Sequence, residues 1–436
     1  MSPTKQNPHA QVYRQWDWKT PKRAEDFPFD DQPPIDDWAR LERFFAGRAA
    51  EVERARDKLF DGNNIMVRGQ FGIGKSAFIL AVLQRLYDYS AEIKIEPIYI
   101  PDFGGATCPD LYRHILLKLS ERLAKKDKRA REIHRMLTGE RISLTRSRRG
   151  KAGVDLVAVK GESEISTSET RSLELEACKD RIDALLDAAK RNDTRVFIAL
   201  DDLDKTENQA AVSQMLNDAK ALLRNSPGKF ILTGRPLVAG FEDYTAQVLE
   251  LYDETFRLEP LDLPTLKQAA RGQLNLIRQA ARDDFLPFAE ETFERIVPLS
   301  SGIPRHFNKI CRHALETARR ERWNEITVEW FDRECLPEIE DQWSINVPLD
   351  IRRLLYYVLE RNGVSLANDE VVDGLLETMK GVTFEGRKMT SELLSDAVPF
   401  LNELVRRNLL ISDEFEGILR YSVAPLAQRA AETGKI

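Results

Sequence analysis

Cysteine is scarce: the 436 residues hold four, and Cys108, Cys178, Cys311 and Cys335 stand too far apart for a C-x-x-C pair. The sequence therefore suggests neither a zinc site nor a disulfide framework, and the four read as buried free thiols. Histidine is sparse too. His306 and His313 can share a helix face, but no carboxylate or thiol set completes a metal site with them, so no protein-held transition metal is expected. No run approaches the roughly 18 consecutive apolar residues of a bilayer span, and the opening MSPTKQNPHAQVYRQWDW lacks an apolar leader core. A cytoplasmic location with no membrane partner is the expectation. No fixed-period repeat marks a solenoid. The net charge is only -6, with a pI near 5.7, which argues against indiscriminate polyanion binding by the whole molecule.

What is present is ordinary globular material with uneven charge. Apolar residues make up 42% and charged residues 31% of a chain long enough for two or three domains. Between residues 121 and 151 twelve Lys/Arg face four Asp/Glu, a local excess of eight positive charges. Residues 1–36 are rich in Pro, Asp and Lys/Arg, the composition of a flexible segment. They also carry Tyr13, Trp16, Trp18, Phe27 and Phe29, whose spacing suits docking on a partner or on the core. Trp38, Leu41, Phe44 and Phe45 predict a helix from Asp36, and a second is expected over 49–59 before the turn Asp61-Gly62-Asn63-Asn64.

Ile65-Met66-Val67 reads as a short strand and residues 76–83 as a helix with an apolar face. Between them Gly69-Gln70-Phe71-Gly72-Ile73-Gly74-Lys75-Ser76 is a complete phosphate-binding loop, in the strand, loop, helix context that such a loop requires. Its glycines let backbone N–H groups close on a triphosphate. Lys75 sets its ammonium on the β- and γ-phosphates and the Ser76 hydroxyl ligates Mg²⁺, while the helix opening through Ser76-Ala77 adds its positive dipole end. ATP with Mg²⁺ is the expected cofactor.

Residues 95–100, 196–200 and 230–233 read as further strands. Val196-Phe197-Ile198-Ala199-Leu200 is uninterrupted apolar sequence, the mark of a strand buried on both faces, so the expected fold is α/β with a parallel P-loop sheet. That run ends in Asp201-Asp202-Leu203-Asp204. A carboxylate at the carboxyl end of such a strand lies where these sheets bind ligands, which makes Asp201 a holder of Mg²⁺ through its water shell. Asp202 is the candidate to orient or deprotonate the attacking water, and Asp204 suits a helix N-cap before Glu207. Thr233-Gly234-Arg235-Pro236 closes the neighbouring strand and brings Thr233 and Arg235 within reach of a γ-phosphate. Ser301-Gly302-Ile303-Pro304-Arg305 opens a helix in which Pro304 fits the first turn and Arg305 points back at phosphate across a cleft.

The stretch from Lys75 to Asp201 far exceeds the roughly 30 residues of one βαβ unit. A basic insertion near 122–170 is expected, with a helix around 125–136, a hairpin over 142–144 and 154–159, and an exposed tip over 161–170. The ATPase unit then covers 37–260 and an α-helical lid 261–343. Residues 344–436 carry helices expected over 352–361, 369–379 and 392–407, the last kinked at Pro399, and then a hairpin turning at Asp413-Glu414-Phe415-Glu416-Gly417. Three helices and a hairpin describe a C-terminal winged helix.

Together these elements resemble the AAA+ ATPases, particularly the branch shared by origin-recognition initiator ATPases and STAND signalling ATPases, over residues 40–436. Phe45-Ala46-Gly47-Arg48 followed by Glu51 is similar to that branch's F-x-G-R-x-x-E helix, which lies beside the adenine and so implicates Arg48. The resemblance implies Walker A at Lys75 and Ser76, Walker B at Asp201 and Asp202, sensor 1 at Thr233 and Arg235, and sensor 2 at Gly302, Pro304 and Arg305. Asp-Asp-Leu-Asp is also similar to KAP-type P-loop NTPases. The STAND histidine near the end of the winged helix has no counterpart around Ser422-Val423-Ala424-Pro425, and Arg224 is the candidate trans-acting finger.

Two functions of different class follow as expectations. One is an ATP-driven switch that forms homo-oligomers and controls a partner protein, with its effector on another chain. The other is a DNA-binding regulator of replication or transposition that uses the winged helix and the basic insertion. The acidic third helix, with Glu392, Asp396 and Glu403, is a poor groove reader, so the insertion is the stronger nucleic-acid feature. A nucleotide-holding scaffold without hydrolysis is a third reading, opposed by the Asp201-Asp202 pair.

Overall fold

Five short apolar segments form the centre of the computed structural model, which describes residues 10–19, 27–29, 41–42, 45–89, 93–101, 107–138, 167–203, 209–234, 251–344, 347, 349–384, 387–388, 394–407, 409–415 and 418–435. They are β1 (Ile65–Arg68), β2 (Lys94–Ile100), β3 (Thr194–Leu200), β4 (Lys229–Gly234) and β5 (Glu254–Arg257). The sheet order is β2-β3-β4-β1-β5, with every pair parallel. The pleat explains why the central runs, on β3 and β4, are largely apolar. On β3, Val196, Ile198 and Leu200 face one core while Phe197 and Ala199 face the other. On β4, Phe230 and Leu232 point to the first and Ile231 to the second. Each of the larger of these side chains contributes about 1.5–3 kcal/mol by burial, and Ala199 less. This is the α/β fold of P-loop NTPases, as the sequence predicts.

Helices Cys108–Leu123, Lys128–Thr138 and Thr167–Arg191 cover one face, and Ala49–Phe60 and Lys75–Asp88 the other. Cys108–Leu123 starts where Thr107 accepts from the Asp110 N–H, with a proline in the first turn. The basic helix Lys128–Thr138 anchors through Ala130 and Ile133 and leaves Lys128, Arg129, Arg131 and Arg135 exposed. The expected hairpin over 142–159 lies outside the described residues. Residues 167–170, expected in an exposed tip, open the helix Thr167–Arg191, whose Ile182, Leu185 and Leu186 pack on the sheet. Asn64, expected in a turn, is a buried tie. Its amide donates to the Leu223 and Leu251 carbonyls and accepts from the Phe230 N–H.

Beyond β5, helices Leu263–Ile277, Thr292–Leu299 and Pro304–Glu321 share one apolar cluster. Residues 1–36 read by composition as a flexible tail, yet the described part packs here. Val12, Tyr13, Trp16, Trp18, Phe27 and Phe29 are buried in that cluster. Trp16 Nε1 donates to the Trp323 carbonyl at 3.2 Å, and Phe29 N donates to Gln273 Oε1 at 2.9 Å. Large aromatic area, about 150–250 Å² each, outweighs the polar composition around it. Arg278 is also interior: its guanidinium meets Asp284 at 2.8 Å and the carbonyls of Asp284 and Leu286.

The C-terminal unit has helices Leu349–Glu360, Asp369–Met379 and Leu394–Arg406 beside an antiparallel sheet in which Val364–Ser365, Ile418–Val423 and Leu410–Phe415 pair in that order. The third helix runs on through Pro399. A last helix, Pro425–Glu432, touches two cores: Leu426 enters the cluster of the 263–321 helices, while Ala427 and Ala430 enter the C-terminal core. Arg429 Nε lies 2.5 Å from the buried Glu340 carboxylate. Among the described residues no helix is long and apolar enough to cross a membrane.

Candidate nucleotide site

The loop after β1 turns into the helix Lys75–Asp88 through Gly74, which takes the N-cap position at φ +100°. An L side chain rarely adopts that conformation, so glycine is required there by the backbone. At Gly72 the reason is proximity: an added Cβ would lie 2.8 Å from Arg305 Cβ and 3.3 Å from Ile303 Cγ2. The Arg305 N–H donates to the Gly72 carbonyl at 3.2 Å. The phosphate loop and the first turn of the helix Pro304–Glu321 are therefore in direct contact, through Arg305 and Ile303 against Gly72. Ile73 is buried in the core and fastens the loop from beneath.

Lys75 is 7% exposed, and its ammonium donates to the carbonyls of Gly69 at 3.0 Å and Gln70 at 3.3 Å. A charge held in this way by carbonyl dipoles is ready to exchange them for phosphate oxygens. Arg48 approaches from the start of the helix Ala49–Phe60. Its Nη2 donates to the Glu259 carbonyl at 2.6 Å and, more weakly, to that of Ile73 at 3.4 Å. Burial lowers its pKa to about 10, so it stays charged at neutral pH. Its Nη1 is buried with no hydrogen-bond partner. That orphaned donor beside the loop is one a bound nucleotide is suited to satisfy.

Across the sheet, Asp201 is fully buried at the end of β3. One carboxylate oxygen accepts from Thr233 Oγ1 at 2.7 Å and from the Asp202 N–H at 2.9 Å. The other accepts from the Tyr99 hydroxyl at 2.6 Å. Asp202 N also reaches Thr233 Oγ1 at 2.9 Å, and these bonds hold Asp202 at φ +57°. A non-glycine residue kept in that region by its surroundings marks strain stored at a site. The Thr233 hydroxyl thus donates to the Asp201 carboxylate and accepts from the Asp202 N–H. Ser76, in the first turn of the helix after the loop, and Asp201, at the end of β3, are both hard oxygen donors of the kind that suits Mg²⁺.

Sequence reasoning read Tyr99 only as part of an apolar strand. The signal was available in the register: Tyr99 pairs with Ala199, two residues before Asp201, and the pleat puts all three on one face. Arg235 and Asp204 lie outside the described residues. Arg224 is exposed at the end of the helix Lys220–Asn225.

Phe71 belongs to the same loop. Its ring packs against the apolar core of the C-terminal unit, and the Arg305 guanidinium carbon lies 4.4 Å from the ring centroid. Ile411 touches both that core and the sheet's. Arg257 and Asp413 pair across the same seam at 3.1 Å.

Next to Arg305, His306 is 3% exposed, and burial together with Lys309 and Arg305 lowers its pKa to about 3. An unfolded His306 takes a proton near 6.5, so between these values the unfolded chain holds more protons and stability falls as pH drops. From pH 7 to pH 5 this group alone accounts for about 2 kcal/mol. In urea titrations at the two pH values, His306→Leu is expected to lose that share of the parent's pH dependence.

A glycine loop between β1 and its helix, with a paired carboxylate at the end of β3 in a parallel sheet, defines a P-loop nucleotide-binding site. Residues 45–231 match the family model of the AAA ATPase domain, so over this span the chain is similar to AAA ATPases. No curated protein matches the sequence. Among solved structures it is similar to the ORC1 protein of Aeropyrum pernix in complex with DNA, with 16% identity over 90% of this chain and 94% of that one and a TM-score of 0.48. The ORC2 protein of the same organism, in ADPNP-ADP complexes, gives 14% identity, 94% and 96% coverage and a TM-score of 0.46. A Walker-type ATPase of Pyrococcus abyssi gives 16% identity, 93% and 99% coverage and a TM-score of 0.48.

Proposed function

We propose that this chain is an ATP-binding and ATP-hydrolysing AAA+ switch, of the initiator/STAND type, that oligomerises and controls a partner protein through the position of its C-terminal, winged-helix-like unit. The observation that carries this reading is Phe71. One residue belongs both to the phosphate loop and to the seam with the C-terminal core, and Arg305, the residue suited to answer a γ-phosphate, is stacked on it. A phosphate that draws Arg305 away removes a cation–π contact of about 0.5–2 kcal/mol and uncovers the ring. Nucleotide state then has differential affinity for two placements of the C-terminal unit, which is what a switch requires. Mg²⁺ is held at Ser76 and Asp201, Asp202 orients the attacking water, and Arg235 senses the γ-phosphate.

Small-angle scattering and light scattering with and without a non-hydrolysable ATP analogue test the proposal. The parent is expected to expand or assemble only with nucleotide, and Phe71→Ala to show the expanded form without it. Identical scattering of the parent in both states refutes the switch.

The alternative, an ATP-dependent DNA-binding regulator, is favoured by one surface: Arg122, Lys125, Lys126, Lys128, Arg129, Arg131 and Arg135 are all exposed on and before the helix Lys128–Thr138. Duplex DNA added to the same samples at two salt concentrations separates the readings, because phosphate contacts weaken steeply with salt.

A further inference from the structure

The described part of the N-terminal segment lies across two helices, and one of them begins at the nucleotide site. Helix Pro304–Glu321 runs about 27 Å from Arg305, whose N–H meets the Gly72 carbonyl, to Arg319 near its far end. Arg319 Nη1 donates to the Tyr13 hydroxyl at 3.0 Å, and just past the helix the Trp323 carbonyl accepts from Trp16. Near the first turn the Phe29 ring stands edge-on to Phe307, two residues after Arg305, with centroids 6.2 Å apart. The same segment is tied to the helix Leu263–Ile277 and the residues after it. Lys19 N donates to the Ile277 carbonyl at 2.8 Å, Gln279 N to the Asp17 carbonyl at 3.0 Å, and Phe29 N to Gln273 Oε1. The segment is a brace between the two helices. It also carries costs of its own: Asp17 and Phe29 sit at φ +58° and +63°, where L side chains are disfavoured, and the buried Trp18 Nε1 has no hydrogen-bond partner among the described residues.

We propose that this aromatic brace is a releasable strap: docked, it holds the helix Pro304–Glu321 where Arg305 lies against the phosphate loop, and bound ATP loosens it. The path from site to strap is short. An Arg305 drawn off Phe71 toward a γ-phosphate takes the first turn of its helix, and Phe307 with it, past Phe29. Phe29 cannot follow, because its N–H is fixed to Gln273 on the other helix. Close-packed rings exchange one arrangement for another and do not stretch. The strap, strained at two residues and short of one hydrogen bond, is the part of the cluster that yields. Linkage makes the relation reciprocal: if ATP loosens the strap, a loosened strap strengthens ATP binding.

The inference rests on the reading of the loop and Arg305 as a nucleotide-dependent switch, and hydrogen exchange on the full chain separates the two. Amide exchange is followed by mass spectrometry with and without a non-hydrolysable ATP analogue and Mg²⁺, in peptides covering 10–19, 69–76 and 194–200. The analogue is expected to protect 69–76 and to leave the buried strand 194–200 as it was. Exchange in 10–19 is expected to quicken about tenfold, because Lys19 N loses its bond to Ile277 and the turn around Trp18 its support. Tyr13→Phe supplies the second arm, since it removes only the hydroxyl bonded to Arg319 and keeps the ring that stacks on Trp18. Without nucleotide it is expected to speed exchange in 10–19 about fivefold, the scale of one hydrogen bond. In calorimetry it is expected to bind the analogue about threefold more tightly than the parent. Protection of 69–76 with exchange in 10–19 unchanged or slowed overturns the strap and leaves the site reading intact, as does a Tyr13→Phe protein whose exchange or affinity stays at the parent's value. No protection of 69–76 refutes the site reading and this inference together.

Discussion

Lys75→Ala is expected to lower ATP affinity by about a hundredfold or more, the largest binding effect of any single change in this chain. Two losses combine. The ammonium ties the Gly69 and Gln70 carbonyls, so its removal leaves one buried and one part-buried acceptor open and the loop less fixed. With ATP present, the main cationic partner of the β- and γ-phosphates is gone. Charge-assisted hydrogen bonds contribute about 1.5–3 kcal/mol each, and two of them exceed the roughly 2.7 kcal/mol that a hundredfold change represents. Lys75→Arg keeps the charge but not the compact head that fits the 7%-exposed position, so it too is expected to bind poorly. Calorimetric titration of the three proteins with an ATP analogue reads this directly. Affinity within threefold of the parent for Lys75→Ala would mean that the loop is not the phosphate site.

The parts of the architecture that were legible in the sequence are those set by local pattern. An all-apolar run such as Val196–Leu200 must be buried on both faces, and a glycine loop between a strand and a helix has few other uses. The parts that were not legible depend on what the tertiary register brings opposite a residue. Tyr99 becomes part of the site only because β2 pairs with β3 in one particular register. Asn64 sits in a string that looks like a turn, and only the neighbouring Leu223, Phe230 and Leu251 backbones make it a buried tie. Phe71 could be any loop aromatic until the C-terminal core is set against it. In residues 1–36 composition and spacing point opposite ways, and the area of the aromatic rings decides for the residues that are described.

Asp202→Asn is expected to leave nucleotide binding near the parent's value and to reduce turnover by about 10²–10⁴-fold, the range associated with losing a positioned general base. The choice of asparagine matters because of the backbone. At φ +57° alanine adds strain, whereas asparagine tolerates the left-handed region. The backbone bonds from Asp202 N to Asp201 and Thr233 also survive the substitution, so the pair's geometry stays intact. A fall in turnover then reports the lost carboxylate chemistry and not a collapsed site. Those same bonds explain why Asp202 and not Asp201 is the residue to change. Asp201→Asn would put an amide N–H₂ against the donors of Tyr99 or Thr233 in a fully buried position, at a cost of about 1–3 kcal/mol for each unsatisfied group, and would confound stability with catalysis. Phosphate release measured beside analogue binding on one preparation separates the two steps. Turnover within threefold of the parent would remove Asp202 from the chemistry and return the role of orienting water to another residue of the β3–β4 end of the sheet.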